Sequence, residues 1–158
     1  MIEYRKACAG DIDALTEIRI TFLREVNGAR LGLVKDRLLQ ENRLYFQQAI
    51  LDGTFVAWLA FDGSSIIGTS GLTLYQVPPS CSCINGKIGY ISNIYTLPGY
   101  RNQGIASRLL KSSMEEAKAR GCTKIVLNAT DMGRPLYEKI GFVDAENEMV
   151  YRSGGDFL

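Results

Sequence analysis

Two hydrophobic periods alternate along the chain, and the switches between them mark out the elements. Ile2 to Ala7 alternates in the manner of a strand. From Ile12 the apolar positions Leu15, Ile18, Phe22, Leu23 and Val26 recur at helical spacing, with Asp11 placed to cap the start and Asn27-Gly28 to stop the run. Lys35 to Leu51 predicts a second helix, with Leu38, Leu39, Asn42, Tyr45, Phe46, Ala49 and Ile50 on one face and Asp52-Gly53 ending it. The unbroken apolar run Phe55 to Phe61 reads instead as a buried strand, and Asp62-Gly63 turns it into a second strand, Ile66 to Tyr75, as an antiparallel hairpin. Val77 to Gly86, with Pro78-Pro79 and Asn85-Gly86, is a loop before the fourth strand, Lys87 to Leu97.

Leu97-Pro98-Gly99 ends that strand, and Arg101-Asn102-Gln103-Gly104-Ile105-Ala106 joins it to a helix over Gln103 to Arg120. The apolar face of that helix carries Ala106, Leu109, Leu110, Met114 and Ala117. The junction delivers unpaired N–H groups at a helix start, which can hold an anion without a special side chain, and Gly104 lets a bulky phosphate approach the main chain. An ordinary strand-to-helix turn with one permissive glycine accounts for the same residues. Gly121 ends the helix, and Thr123 to Ala129 forms a strand that the crossover makes parallel to the fourth. Met132 to Ile140 predicts a short helix with Asp131 at its start and Gly141 at its end. Phe142-Val143 and Glu148 to Arg152 predict a closing hairpin. The pattern therefore implies a mixed, mostly antiparallel sheet of about seven strands with about four helices, an α/β fold.

Length and charge narrow the reading further. The 158 residues fit a single domain over 1–158 with no linker signature. With 18 Lys+Arg against 17 Asp+Glu, bulk charge argues for neither nucleic acid nor an anionic membrane. No apolar h-region opens the sequence and no run is long enough to span a bilayer, so a cytoplasmic location is expected. Cys8, Cys81, Cys83 and Cys122 are few and irregularly spaced, and read as free thiols. Cys81-Ser82-Cys83 falls short of a zinc site and reads as a solvent-exposed loop that helps wall a pocket, so no metal is expected. There is no histidine at all. Ser-His-Asp and Cys-His mechanisms are excluded, and any proton transfer must use carboxylates, Tyr, Lys, Cys or water.

The run Ile94-Tyr95-Thr96-Leu97-Pro98-Gly99-Tyr100-Arg101-Asn102-Gln103-Gly104-Ile105-Ala106, followed by Leu136-Tyr137-Glu138-Lys139-Ile140-Gly141-Phe142, resembles the GNAT N-acetyltransferases over essentially the whole chain. The first segment fits the family pattern of Arg or Gln, two free positions, Gly, one free position, then Gly or Ala. The loop lacks both the Gly-Lys-Ser/Thr ending of a P-loop and the spaced glycines of a dinucleotide fold. The resemblance implies a GNAT-like sheet splayed between strands 4 and 5, with acetyl-CoA as cosubstrate.

It also implies roles. Arg101, Asn102, Gln103, Gly104, Ile105 and Ala106 would cradle the pyrophosphate. Main-chain groups of Ile94, Tyr95 and Thr96 would hold the pantetheine arm and polarise the thioester carbonyl, and Asn128 would line the same cleft. Tyr137 would serve as general acid to the departing sulfur. Plainer accounts exist: strand core for Ile94, a loop cap for Asn128, and a tyrosine packed under a short helix with its hydroxyl satisfied locally for Tyr137. Family members often carry a glutamate on the fourth strand, whereas Lys87 to Leu97 holds no carboxylate. That leaves Tyr90, Ser92, Asn93, Glu25 or a water to take the amine's proton.

Together these features imply direct transfer of acetyl from acetyl-CoA to a primary amine of a small molecule or peptide. The partners are acetyl-CoA and an amine acceptor, and a homodimer could use the C-terminal hairpin as its edge. A non-catalytic CoA-binding sensor or interaction module is the alternative.

Overall fold

In the computed structural model, which describes residues 1–145 and 148–153, contacts divide the chain into two units, Met1–Asn128 and Ala129–Leu158. The first unit holds β1 (Ile2–Lys6), α1 (Ile12–Asn27), α2 (Lys35–Asp52), β2 (Phe55–Asp62), β3 (Ser65–Gln76), β4 (Lys87–Thr96), α3 (Ile105–Ala119) and β5 (Lys124–Leu127). The strands form one sheet in sequential order, β1-β2-β3-β4-β5, antiparallel throughout except for the parallel β4–β5 pair.

The apolar run of β2 is explained by burial on both faces. Phe55, Ala57, Leu59 and Phe61 pack with Leu15 and Ile18 of α1, Phe46 and Ala49 of α2, and Tyr95. Ala60 points the other way, joining Ile67, Ile105 and Leu109 beneath α3. Alternation along a strand makes this two-sided burial possible, so the run shows no polar period of its own. α3 sits close to the sheet because β3 offers it a glycine. A Cβ at Gly68 would lie 3.1 Å from both Ile105 Cγ2 and Leu109 Cδ1. Full burial of Ile105 and Leu109 contributes about 1.5–3 kcal/mol each and clamps the N-terminal end of α3 to the sheet.

The second unit contains α4 (Arg134–Ile140), entered through Thr130, whose Oγ1 accepts from the Gly133 N–H at 3.2 Å. Asp131, expected at that start, is one residue too late to do this.

Two further expectations change. Five strands are present among the described residues, not about seven. Phe142-Val143 and the stretch 148–152 form no strand, and residues 146 and 147 at the expected hairpin's centre lie outside the described residues. Val143, Met149, Val150 and Tyr151 are exposed, so their apolar, β-prone sequence meets no sheet to pair with; strand propensity needs a partner to become a strand. The edge proposed for a partner copy is lost with it. Asp11 also turns backward: its carboxylate accepts from the Cys8 N–H at 2.8 Å and from Arg5 at 2.7 and 2.8 Å, instead of capping α1. No helix among the described residues is long and apolar enough to cross a membrane.

Candidate active site

β4 parts from β5 partway along its length. The parallel ladder runs from Ile88↔Lys124 to Ile91↔Leu127 and stops, while β4 continues to Thr96. The β5-facing edge of Ser92, Asn93, Ile94, Tyr95 and Thr96 is therefore unpaired, which is the splay expected between strands 4 and 5. A bulge marks its start. On the β3 side the register jumps from Thr69↔Tyr95 to Gly71↔Ser92, leaving an extra residue in β4, and Asn93 takes φ +54°. Asn is among the few residues that tolerate this backbone state. The bulge turns main-chain groups out of the regular ladder at the point where the sheet opens.

Beyond β4, Pro98–Tyr100 makes one 3-10 turn and the chain reaches the α3 N-terminus through Asn102 at φ +61° and Gly104 at φ +78°. α3 begins at Ile105, two residues later than the sequence suggests, so Gln103 and Gly104 stay in the loop. Among the described residues, no acceptor takes the N–H groups of Gln103, Gly104, Ile105, Ala106 or Ser107. Nothing lies within 4 Å of where a Gly104 Cβ would sit. Clustered free donors, the positive end of a helix and open space above the glycine suit a diphosphate.

The loop is held by an ion pair from far along the chain. Arg101 Nη2 donates to both oxygens of Glu25, each at 2.8 Å, and Arg101 Nε donates to the Thr96 carbonyl at 3.0 Å. The Tyr95 hydroxyl donates to Glu25 Oε2 at 2.9 Å, with the guanidinium 5.5 Å from the Tyr95 ring centre. The end of α1, β4 and the loop thus share one carboxylate. The Arg101 hydrogen bonds hold the Glu25 carboxyl below its ordinary pKa, against the opposing effect of burial, and Tyr95 adds to the lowering. That makes Glu25 a poor base and a good tether.

Asn128 donates from Nδ2 to the Tyr90 hydroxyl at 3.1 Å, so it links the end of β5 to β4 instead of capping the loop that follows. Asn93 is 4% exposed, yet its Nδ2 and Oδ1 have no hydrogen-bond partner, and the buried Thr96 Oγ1 has none either. Buried polar atoms without partners are uncommon; among the described residues Trp58 Nε1 and Thr69 Oγ1 are others, but those of Asn93 and Thr96 lie on the strand that opens at the splay, where a polar ligand arm could satisfy them.

In the second unit Tyr137 is 7% exposed, with its ring centre 6.2 Å from that of Phe142. Its hydroxyl lies 2.7 Å from the position of a Gly133 Cβ, so only glycine fits above it. Among the described residues nothing hydrogen-bonds that hydroxyl, contrary to the plain account in which it is satisfied locally. Burial raises its pKa, keeping the phenol protonated at neutral pH.

The Val77 to Gly86 loop is not at the splay. Asn85 ties it to Gly121 O at 2.8 Å and to Thr123 Oγ1 at 2.9 Å, beside the first residues of β4 and β5. That end of β4 lies about 30 Å from Thr96 at the usual strand rise. Cys81 is exposed but Cys83 is buried, its Sγ 3.4 Å from Thr123 Oγ1, correcting the expectation that both thiols face solvent. Among the described residues no three His, Cys, Asp or Glu side chains gather as a metal site.

Asn93 and the Glu25–Arg101 tether were not distinguished in the sequence. An Asn just before the Ile94-Tyr95-Thr96 segment was a local hint of positive φ. Nothing local pointed to a contact 76 positions apart.

The fold recurs in known proteins. A predicted acetyltransferase from Clostridium acetobutylicum, solved with acetyl-CoA, is 33% identical, with 96% of each chain covered and a TM-score of 0.86. Glucosamine 6-phosphate N-acetyltransferase of Trypanosoma brucei brucei is 29% identical over 84 residues, covering 53% of this chain and 55% of that one. Thialysine N-epsilon-acetyltransferase of Bos taurus is 34% identical over 85 residues, half of each chain. The match thus spans about half the length of these curated relatives. The model of the acetyltransferase (GNAT) family matches residues 15–142, across the splay, the loop and the Tyr137 segment, and the chain belongs to that family.

Proposed function

We propose that this chain is an acetyl-CoA-dependent N-acetyltransferase, a single acetyltransferase domain that moves acetyl to a primary amine by direct attack. The observation that carries the reading is the opened β4 edge running straight into free N–H groups at the α3 start: one continuous main-chain track for a diphosphate followed by an amide-bearing arm. Acetyl-CoA supplies the activated acyl group. The chain's own residues then have limited tasks. Gln103 to Ser107 bind the diphosphate through N–H groups, with Arg101 and Asn102 shaping the loop. Ile94 to Thr96 offer main-chain groups to the arm and to the acyl carbonyl, where fixed donors stabilise growing negative charge. Asn128 lines the same cleft while holding Tyr90.

Tyr137 is the general acid of this reading. A thiol of ordinary pKa near 8.5 leaves as a thiolate, and a phenol whose pKa burial raises can hydrogen-bond or protonate it. The raised pKa and the unpartnered hydroxyl support that role. With Glu25 committed to Arg101, water takes the proton that the amine loses on attack, and an acceptor of low pKa enters already neutral.

The test is release of CoA from acetyl-CoA in the presence of amino sugars, lysine-like amines, aminoglycosides and peptide N-termini. Turnover on at least one acceptor, reduced about 30-fold or more in kcat by Tyr137→Phe, is the expected result. Full turnover by Tyr137→Phe removes the general-acid role. CoA binding with no turnover on any amine instead establishes the second reading, a CoA sensor, which the lack of a free carboxylate at β4 favours.

A further inference from the structure

Four arginines are partly buried: Arg5, Arg19, Arg101 and Arg134. Three are paired with carboxylates, Arg5 with Asp11, Arg101 with Glu25, and Arg134 with Asp144. Arg19 alone of the four has none among the described residues. It lies on α1, half-buried, with its guanidinium 5.7 Å from the Phe22 ring centre. A guanidinium partly removed from water without a counter-ion is left with a desolvation cost that an anionic ligand would relieve.

Its surroundings are made for an anion. α1 and α2 cover the sheet face that carries Tyr95, and Tyr45 of α2 and Tyr90 of β4 are the titratable side chains near Arg19 there. Tyr45 is fixed by a 3.0 Å hydrogen bond between its hydroxyl and Thr73 Oγ1, and Thr73 is the register partner of Tyr90. Tyr90 is in turn held by Asn128. Both phenols are thus fixed by hydrogen bonds to other residues, while Arg19 makes no hydrogen bond or ion pair among the described residues and neither of these neighbours is acidic. Two residues along β4 from Tyr90 is Ser92, the first residue of the unpaired edge. A planar guanidinium backed by an aromatic ring presents a bidentate fork suited to carboxylate or phosphate.

We propose that Arg19 anchors an anionic group on the acceptor, so that the substrate is an amine that also bears a carboxylate or phosphate. The proposal rests on the acetyltransferase reading for the amine and adds the anion. Arg19 is a specificity residue: it holds the far end of the acceptor while the amine reaches the splay.

Two matched pairs test it, glucosamine 6-phosphate against glucosamine and lysine against lysinamide, each with saturating acetyl-CoA. The expected result is a preference for the anionic member of one pair of about tenfold or more in kcat/KM, read mainly in KM. The pair that shows it tells phosphate from carboxylate. In Arg19→Gln that preference falls toward one, and in Arg19→Lys part of it returns. Equal use of both members by the unaltered protein, or a preference unchanged in Arg19→Gln, overturns the proposal. A binding arm separates it from the catalytic reading: thermal stabilisation of the CoA-saturated protein by glucosamine 6-phosphate or by lysine, beyond that of its neutral partner. If that stabilisation is present and depends on Arg19 while no acceptor releases CoA, the anion site stands and the transferase reading fails. If amines are acetylated and neither anion is favoured in turnover or binding, the reverse holds. Unchanged stabilisation of Arg19→Gln by CoA shows that the variant is folded.

Discussion

The two sides of the candidate site are built from different materials. The donor side, from Ser92 to Ser107, works through main chain: an unpaired strand edge, a bulge at Asn93, and free N–H groups where α3 begins. The acceptor side, on α1, α2 and the face of β4, is made of side chains: Arg19, Tyr45, Tyr90, and the phenol of Tyr95 bound to Glu25. Main-chain donors cannot be altered by ordinary substitution and recognise what is common to a family, a diphosphate and a thioester arm. Side chains can be exchanged one at a time without disturbing the fold, and so can choose among amines. The difference teaches that tight cofactor binding and acceptor choice are separable here, and each side should answer to its own kind of mutation.

The largest expected effect breaks the donor side. Gly104→Glu places a Cβ and a carboxylate into the open space above the free N–H groups, at a φ of +78° that a side chain rarely accepts. CoA affinity by calorimetry should fall about 100-fold or more, close to 3 kcal/mol. Unchanged affinity would put the diphosphate elsewhere. As the internal contrast, Gln103→Ala should change CoA affinity by no more than about threefold, because that residue is used through its N–H.

Next in size is the general acid, approached from its neighbour. Gly133→Ala brings a methyl to 2.7 Å from the Tyr137 hydroxyl, so the ring must move. A loss in kcat of about tenfold with CoA affinity preserved would tie turnover to the position of that hydroxyl. Wild-type kcat in Gly133→Ala would count against it.

The tether joins the two sides and should show an intermediate effect. Glu25→Gln frees Arg101 from a charge partner, and both side chains are about 30% exposed, so the pair itself contributes no more than about 1 kcal/mol. The clearer readout is CoA affinity, expected to weaken about three- to tenfold as the loop loosens. Because the Glu25 pKa is lowered in the folded protein, its contribution is full above the usual carboxylate range and fades as pH falls through it. A CoA affinity equal to wild type would make the pair ornamental to the loop.

The smallest effect lies outside the site and serves as its control. Arg5 holds the Asp11 carboxyl well below its ordinary pKa. The stabilisation is complete above about pH 4 and is lost as pH falls toward the depressed folded value. Asp11→Asn should lower stability at neutral pH by about 1 kcal/mol in urea unfolding, flatten the acid limb of the stability profile, and leave CoA affinity alone.

Several of these relations were legible in the sequence and others were not. The helices were, because α1, α2 and α3 each carry an apolar face at short spacing that reports burial directly. The turn into α3 was, since a glycine after a strand and before a helix states its geometry in a few residues. The closing hairpin misled because Phe142-Val143 and the stretch 148–152 have strand-like composition yet form no strand among the described residues. The Val77 to Gly86 loop misled as well. Its place in the chain suggested a wall of the pocket, whereas its Asn85 contacts fix it beside the first residues of β4 and β5, away from Thr96.

What the sequence determined by itself, then, is the local backbone of the turn into α3 at Arg101 to Ala106, which needs no distant partner to be read. What only the tertiary structure decided is the state of the charges. Arg101 and Arg19 are both arginines near apolar neighbours, and nothing in their flanks says that one is paired and the other is not. The carboxylate that settles the matter, Glu25, is 76 residues from Arg101 and only six from Arg19. It serves the distant one, because the fold brings the end of α1 against β4 and the loop, and an ion pair forms where the geometry meets, whatever the spacing along the chain.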